Sequence, residues 1–286
     1  MKKKNWPAVI LITVFFIGLC IFLYPTVGNL LNKLNQSRVI ENYEKQVTKL
    51  DNADYQKKLD EACEYNRLYA KNSFSYNKES ETGSDLYRKT LDMGGGVMGY
   101  LKIDKLNLRL PIYHGTSSTV LQSGLGHMPM TSLPVGGEGT HAVLSGHSGL
   151  PSAELLTKLD QIETGDIFYI CVLDEILAYE VRDINTIMPY ELDVLSIDQR
   201  EDKVSLVTCT PYGINTHRLV VTGYRIPYKD NFAEHDKETA KNISLQTIVL
   251  CICVPLFLII IVILIRFRMK NRKKGIAKND EKVNRD

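Results

Sequence analysis

The sequence predicts a mainly β domain, a closed or nearly closed barrel, carried between two membrane-spanning helices. From residue 93 to residue 228 the chain alternates short apolar segments with Gly, Pro, Asp and Asn. This texture is typical of many short strands joined by turns. Long uncharged apolar runs stand near both ends of the chain, and each can cross a bilayer as a helix.

The two apolar runs cover residues 7–24 and 245–265. The first follows MKKK and the second precedes RFRMKNRKK, and basic flanks stay on the cytoplasmic side of a membrane. We therefore expect a two-pass protein of the cell membrane with its middle region outside the cell. A cleaved signal peptide is the alternative for the first run, but no small-x-small cleavage site follows it.

The net charge of +2 hides an asymmetry along the chain. Met1 to Lys4 contribute +3 and residues 266–286 contribute +6, which leaves −7 on everything between them. An acidic outer region gives no support to nucleic-acid binding. The basic ends are better explained as topology signals and contacts with anionic lipid, so the bilayer is an expected partner.

The region before the barrel is predicted to be helical. Residues 32–72 are charged and glycine-free, with apolar residues mostly three to four apart, which indicates one or two amphipathic helices. These helices could pack on the domain's own core or form a coiled coil. The predicted order is a cytoplasmic N-terminus (1–6), a transmembrane helix (7–24), a helical region with a possible lid (25–92), the barrel (93–228), a linker (229–244), a second transmembrane helix (245–265) and a basic cytoplasmic tail (266–286).

Within the barrel, seven segments read as strands. They are VMGYLKI, LRLPIYH, THAVLSGH, DIFYICVL, LAYEVRDI, KVSLVTC and RLVVTGYRI. The stretch SAELLTKLD (152–160) is the one short helix expected among them, with Ser152 as its N-cap.

Three of the six cysteines, Cys63, Cys171 and Cys209, lie outside the apolar runs. An odd number in an exported region leaves at least one thiol unpaired or paired between chains. A region of about 200 residues can bury a sufficient core without disulfides. Cys209 draws attention because the predicted strand KVSLVTC ends at it, before the turn sequence TPYG.

A nucleophilic cysteine needs a base or positive neighbour and donors for the oxyanion that forms on attack. Arg218 begins the next predicted strand, and His147 stands at another strand exit, in SGHSGLPS. The alternatives without catalysis are that Cys209 is a core residue and that Arg218 forms a salt bridge on a surface strand. The barrel histidines His114, His127 and His141 are interpreted first as structural.

Together, SGHSGLPS, TCTPYG and NTHRL resemble the signatures of sortases, the cysteine transpeptidases of Gram-positive cell surfaces. The resemblance covers roughly residues 94–226. The run TCTPYGINTHRL and the two apolar runs look most like class C, the pilus-assembling sortases. This resemblance implies a closed eight-stranded sortase-like β-barrel with short helices.

The resemblance also implies roles for individual residues. Cys209 would be the nucleophile, His147 the general acid/base and Arg218 the stabiliser of substrate and oxyanion, while Thr208 would help to shape the oxyanion site. The expected substrate is a pilin subunit whose LPxTG-like sorting signal is cut between Thr and Gly to give a thioester. A pilin lysine then resolves the thioester as an isopeptide bond. The sequence shows no metal-ligand cluster or nucleotide-binding loop, so we expect no cofactor and no metal.

One feature of class C is absent from the sequence. These enzymes often carry a lid with an Asp-Pro-aromatic motif, and no such motif occurs here. Asp85-Leu86-Tyr87 keeps the acid and the ring without the proline, and Phe74 or Tyr76 offers a ring without the acid. A polar loop with an anchoring aromatic is the other interpretation of both.

Three other functions remain open from the sequence. The first is a housekeeping-type sortase that anchors proteins to the cell wall. The second is a papain-like peptidase, although there the cysteine precedes the histidine and opens a helix, whereas here His147 comes first and Cys209 ends a strand. The third is a non-catalytic surface scaffold in which Cys209 is inert.

Overall fold

Eight strands close into a barrel, as predicted. Around the barrel they follow the order β1-β2-β3-β4-β7-β8-β6-β5, and β5 pairs with β1. The pairs β2–β3 and β4–β7 are parallel and the others antiparallel. The strands are β1 (Val97–Ile103), β2 (Leu108–His114), β3 (Leu125–His127), β4 (Thr140–Ser145), β5 (Ile167–Val172), β6 (Glu175–Ile187), β7 (Asp202–Thr210) and β8 (His217–Ile226).

This structure is a computed structural model, and it describes residues 6–69 and 84–228. The described residues fall within one compact unit, Met1–Lys229. The predicted linker, the second apolar run and the basic tail lie outside the described residues, as do Phe74 and Tyr76. The prediction of two membrane spans therefore stays a prediction.

The seven predicted strands correspond to β1, β2 and β4 to β8, and the first two match residue for residue. The strand that sequence reasoning missed is β3, a three-residue segment with glycine at its centre. Three residues are too few to show the alternation by which a strand is recognised. Only its pairing with β2 and β4 makes this segment a strand.

The predicted helix over residues 152–160 is wrong. The structure has only a 3-10 turn there, Leu159–Gln161, and Leu155 adopts a left-handed backbone with φ of 39° that interrupts any helix. Ala153, Leu155 and Leu156 are all buried. The apolar spacing therefore reflects a loop folded inward onto the barrel, and Ser152 does not cap a helix.

The N-terminal helix α1 (Trp6–Val47) joins the predicted first membrane span to the first predicted amphipathic helix without a break. It runs through Pro25, a residue that membrane helices tolerate. In the described part of the chain, α1 is the one helix long and apolar enough, by length and composition, to cross a membrane.

The C-terminal half of α1 and the helix α2 (Asn52–Tyr69) pack on the barrel. Tyr43 of α1 is buried, and its hydroxyl donates to the carbonyl of Met98 at 3.2 Å and accepts from the amide of Leu173 at 2.6 Å. On α2, Ala62 and Tyr65 are buried. Packing on the domain's own core, one of the two alternatives left open, is therefore what the helices do.

Two short helices also occur among the described residues, α3 (Asp85–Lys89) and α4 (Ser118–Ser123). Tyr87 of α3 is fully buried and stacks on His127 with ring centroids 5.6 Å apart. Its hydroxyl lies 2.8 Å from Nδ1 of His127 and accepts from the amide of Gly115. The ring of Tyr87 is therefore packed in the core. This favours the interpretation of Asp85-Leu86-Tyr87 as a polar segment with an anchoring aromatic residue.

Candidate active site

Cys209 and Arg218 face each other across the hairpin of β7 and β8. The two residues are directly paired, and opposed residues of an antiparallel pair project from the same face. Both side chains are half-buried. The predictions that a strand ends near Cys209 and that the next one returns Arg218 to its side are confirmed.

His147 lies on the other side of Cys209. Strands β4 and β7 run parallel, and their last paired residues are Ser145 and Val207. The ladder continues one step further, because the amide of Gly146 donates to the carbonyl of Val207 at 3.0 Å. Extending the same register by one more residue aligns His147 with Cys209. By this register the three candidate positions fall in one row across the β4 exit, β7 and β8.

The ring nitrogens of His147 are free of hydrogen bonds within the part of the chain that the structure describes. The residue is half-buried. Burial lowers the pKa of His147 below its usual range. Only its backbone is held, since its carbonyl accepts from the amide of Leu156 at 3.1 Å.

The guanidinium of Arg218 is held by the loop that precedes it. One terminal nitrogen, Nη1, donates to the carbonyls of Asn215 at 3.3 Å and His217 at 3.0 Å. Asn215 adopts a left-handed backbone with φ of 62°, which turns the chain back toward β8. The other guanidinium N–H groups make no hydrogen bond within the described residues and can donate to a bound oxygen.

An apolar cluster lies beneath this row. Val207 and Val220 are two residues along their strands from Cys209 and Arg218, so they project from the same face. They pack with Val143, Ile187 and Leu195 in a buried cluster. Leu195 comes from the 3-10 turn Asp193–Leu195 in the β6–β7 connection. This connection therefore covers the face on which the candidate residues stand.

Thr208 has a role that sequence reasoning did not identify. Its side chain is buried, and its hydroxyl donates to the carbonyl of Gly146 at 2.8 Å. The hydroxyl proton of Thr208, which would have to donate to an oxyanion, is therefore already used in the bond to Gly146. In this arrangement Thr208 ties β7 to the histidine segment, which differs from the oxyanion role that the resemblance implied.

The loop between β7 and β8 supplies a second contact to the histidine segment. A Cβ built on Gly149 would lie 3.1 Å from the ring of Tyr212, so the ring rests against that glycine. Tyr212 and Ile214 are about two-thirds exposed, at 68% and 67%. Their exposure is a property of the folded loop, and no spacing in the sequence could have revealed it.

The other candidate histidines of the barrel are structural, as predicted. Burial lowers the pKa of both His127 and His141 to about 4. The ring of His114 lies between the carbonyls of Thr90 and Gly96, at 2.7 and 3.0 Å. Among the described residues there is no group of three or more His, Cys, Asp or Glu side chains that could hold a metal ion.

The other two cysteines outside the apolar runs, Cys63 and Cys171, are also free thiols. Cys63 on α2 is exposed, while Cys171 on β5 is buried. Burial raises the pKa of Cys171 to about 12. Cys209 is the thiol that stands between a histidine and an arginine.

The sequence matches a profile of the Sortase domain over residues 101–226. Among curated proteins, Sortase A of Streptococcus agalactiae serotype III (strain NEM316) is 28% identical over 151 residues. That match covers 52% of this chain and 60% of the relative's length.

Two solved structures are more similar still. Sortase C of Streptococcus pneumoniae is 40% identical with a TM-score of 0.61, covering 67% of this chain and 97% of that one. Sortase C1 of Streptococcus agalactiae is 42% identical with a TM-score of 0.63, covering 67% of this chain and all of that one.

Proposed function

This chain belongs to the sortase family, and we propose that it is a membrane-anchored class C-type cysteine transpeptidase with Cys209 as its nucleophile. It would cut an LPxTG-like sorting signal between Thr and Gly and join the new carboxyl end to a pilin lysine. The observation that carries the proposal is the row of His147, Cys209 and Arg218 on one face of the barrel.

The first half of the proposed reaction makes the thioester. The thiolate of Cys209 attacks the carbonyl carbon of the substrate Thr, and Arg218 donates hydrogen bonds to the oxyanion. The C–N bond to Gly then breaks, and the imidazolium of His147 gives its proton to the departing amine. A thioester on Cys209 and a neutral His147 remain.

The second half reverses these roles with a different amine. The neutral amine of a pilin lysine attacks the thioester carbonyl, and His147 takes the proton that the nitrogen sheds. The C–S bond breaks and Cys209 leaves as a thiolate beside a renewed imidazolium. The product is an isopeptide bond, and the enzyme returns to its starting state without any external oxidant or cofactor.

The environment of His147 suits the second half best. Its lowered pKa means that at neutral pH the isolated imidazole is mostly neutral, the form that accepts a proton from lysine. The first half needs the imidazolium, which a neighbouring thiolate favours.

The substrate class is inferred from the relatives. The solved sortase C of Streptococcus pneumoniae is described together with pilin substrate specificity, and it is 40% identical to this chain. Met128 and Leu192 are partly buried and pack against the apolar cluster beside the row. Apolar side chains at this place would suit the Leu-Pro part of a sorting signal.

The proposed location is the cell membrane, with the barrel outside the cell. Helix α1 supports this, because its first part can span a bilayer and its second part packs on the barrel. The basic start of the chain and the second apolar run at residues 245–265 support two spans with both ends in the cytoplasm.

A housekeeping-type sortase is the second candidate. It is favoured by the curated relative named Sortase A, which is 28% identical. The two differ in the acceptor, which is a pilin lysine for a class C enzyme and a cell-wall peptide amine for a housekeeping enzyme.

A transfer assay on the full chain in detergent tests the proposal. An LPxTG peptide is mixed with a pilin domain or with a cell-wall peptide, and the joined product is weighed by mass spectrometry. We expect product with the pilin lysine, none from Cys209→Ala, and normal yield from Cys63→Ala, which removes an exposed thiol away from the row. Product only with the cell-wall peptide would establish the housekeeping function. Equal yield from Cys209→Ala would contradict both.

A further inference from the structure

Helix α1 touches the segment that follows His147. A Cβ built on Gly28 would lie 3.1 Å from the Cα and Cβ of Ser152, so the helix and the loop meet at backbone distance. Asn29 Oδ1 accepts from the amide of Glu154 at 3.0 Å. Lys33 Nζ lies 2.6 Å from Glu154 Oε2.

Glu154 is the centre of this contact. Its side chain is mostly buried, at 18% exposed, and it also pairs with Lys158. Burial opposes its ionisation, but the hydrogen bonds and charges of Lys158 and Lys33 outweigh burial and lower the pKa of Glu154. The carboxylate therefore stays ionised at neutral pH, and the contact with Lys33 stays intact.

The segment from His147 to Lys158 is closed on itself. The amide of Leu156 donates to the carbonyl of His147, and the amide of Thr157 donates to the carbonyl of Glu154 at 2.8 Å. The hydroxyl of Thr157 accepts from the amide of Gly149 at 3.0 Å. Glu154 is therefore connected to the residues around His147 through the hydrogen bonds of Leu156 and Thr157.

His147 depends on this segment for its position. The β4–β7 ladder makes its last hydrogen bond at Gly146, one residue before the histidine. The ring itself has no hydrogen-bond partner among the described residues. Beyond Gly146, the described hydrogen bond to His147 comes from the segment after it, where the amide of Leu156 holds the backbone carbonyl of the histidine.

We propose that α1 is a positioning element for His147, in which Gly28, Asn29 and Lys33 hold residues 152–158 and so keep the imidazole beside Cys209. This inference rests on the proposed function, in which α1 also anchors the chain. The predicted span ends at residue 24, four to five residues before Gly28 and Asn29, which is roughly 6–8 Å at 1.5 Å per helical residue. The anchor therefore also sets the active-site row close to the membrane surface.

Two glycines of α1 give a matched test in the full chain reconstituted in lipid vesicles. Gly28→Leu forces the helix and Ser152 apart, whereas Gly18→Leu makes the same change where nothing lies within 4 Å of the added Cβ. For Gly28→Leu we expect kcat of transfer to fall about three- to tenfold with KM unchanged, as for one or two lost hydrogen bonds. The limb of the pH profile that reports His147 should move to higher pH, because a loosened segment exposes the ring.

A second pair of variants, at Asn29, controls for the chance that Gly28→Leu only disrupts the local fold. Asn29→Ala removes the acceptor for the amide of Glu154, and Asn29→Asp keeps it. We expect faster hydrogen exchange over residues 148–158 and lower kcat in Asn29→Ala, with both restored in Asn29→Asp. Unchanged exchange in Gly28→Leu and Asn29→Ala, or faster exchange with kcat and pH profile as in wild type, would overturn the proposal.

The outcome is separable from that of the proposed function. A wild-type chain that forms no thioester would sink the proposed function, and the exchange measurement would still decide whether α1 holds the segment. Equal losses in Gly18→Leu and Gly28→Leu would mean that the substitution acts on the helix as a whole, which also overturns the positioning role.

Discussion

The parallel strands β4 and β7 carry two pairs, each made of a histidine and a side chain of nucleophilic type. We call the fully buried pair, His141 and Ser205, the sealed pair, and the half-buried pair, His147 and Cys209, the open pair. His141 and Ser205 are fully buried, 2.8 Å apart from Nε2 to Oγ. His147 and Cys209 stand where the same strands end, and both are half-buried. The chemical types are similar, so the difference lies in what surrounds each ring.

The sealed pair has every ring nitrogen engaged. Nδ1 of His141 donates to the carbonyl of Ser196 at 2.9 Å, and the hydroxyl of Ser205 bonds Nε2 and also contacts Thr222 at 2.7 Å. Ser196 lies in the β6–β7 connection, which covers the face of the candidate active site. The comparison teaches that one histidine holds this connection in place while the other, with no ring partner among the described residues, is available for chemistry.

The largest expected effect separates the two histidines by activity. His147→Asn should lower transfer by about 10²- to 10⁴-fold, the usual worth of a general acid/base. Its free energy of unfolding should change by less than about 0.5 kcal/mol, because no ring hydrogen bond is lost. Steady-state kinetics and denaturant unfolding on one preparation check both numbers. Activity within tenfold of wild type would remove His147 from the mechanism.

Acid should destabilise the fold through the two buried histidines, His127 and His141. His127 and His141 have folded pKa values near 4, below the unfolded value of about 6.5, so the unfolded chain binds more protons between these limits. Stability is then full above about pH 6.5 and is lost as pH falls toward 4, by up to roughly 3 kcal/mol for each histidine. Urea unfolding at pH 7, 5.5 and 4 measures it, with His147→Asn as the control that should show nearly the same loss. A flat profile would contradict the assignment.

Ser205→Ala should lower stability and leave the thioester chemistry intact, whereas Cys209→Ala abolishes the chemistry. Removing the hydroxyl leaves Nε2 of His141 without its buried partner, which costs about 1–3 kcal/mol of unfolding free energy. Thioester formation at Cys209 should persist in the folded fraction. If Ser205→Ala abolished the thioester while the protein remained folded, the sealed pair would be part of the chemistry.

The smallest effect concerns Thr208. Thr208→Val removes the hydrogen bond to the carbonyl of Gly146 at nearly constant volume and should reduce transfer by a few-fold, about 1 kcal/mol. Thr208→Ser keeps the hydroxyl and should recover most of the rate. A loss of 10²-fold or more in thioester formation would instead favour the oxyanion role that the resemblance implied.

The parts of the fold that sequence could predict are those governed by local pattern. The strands β1 and β2 follow apolar segments bounded by turn residues, and the bounds agree with the structure. The stretch SAELLTKLD shows the limit, because buried apolar residues in an inward loop give the same spacing as a helix face. The three residues of β3 show it again, since only pairing with two neighbours defines them.

The candidate site likewise has a part that the sequence could predict and a part that it could not. Cys209, His147 and Arg218 could be proposed from sequence because each stands at a strand end in a recognisable context. The contact of Asn29 with Glu154 joins residues 125 positions apart, and the hydroxyl of Thr208 reaches Gly146 across 62. Such contacts arise from tertiary packing, which no local pattern encodes.

The most direct test of this comparison is to locate the acyl group on the enzyme. The full chain is incubated with an LPxTG peptide without acceptor, digested, and sequenced by tandem mass spectrometry. We expect the peptide to be joined through its Thr to Cys209, to be released by hydroxylamine, and to be absent from Ser205. An acyl group on any other residue, or transfer to lysine that proceeds with no acyl group on Cys209, would contradict the account.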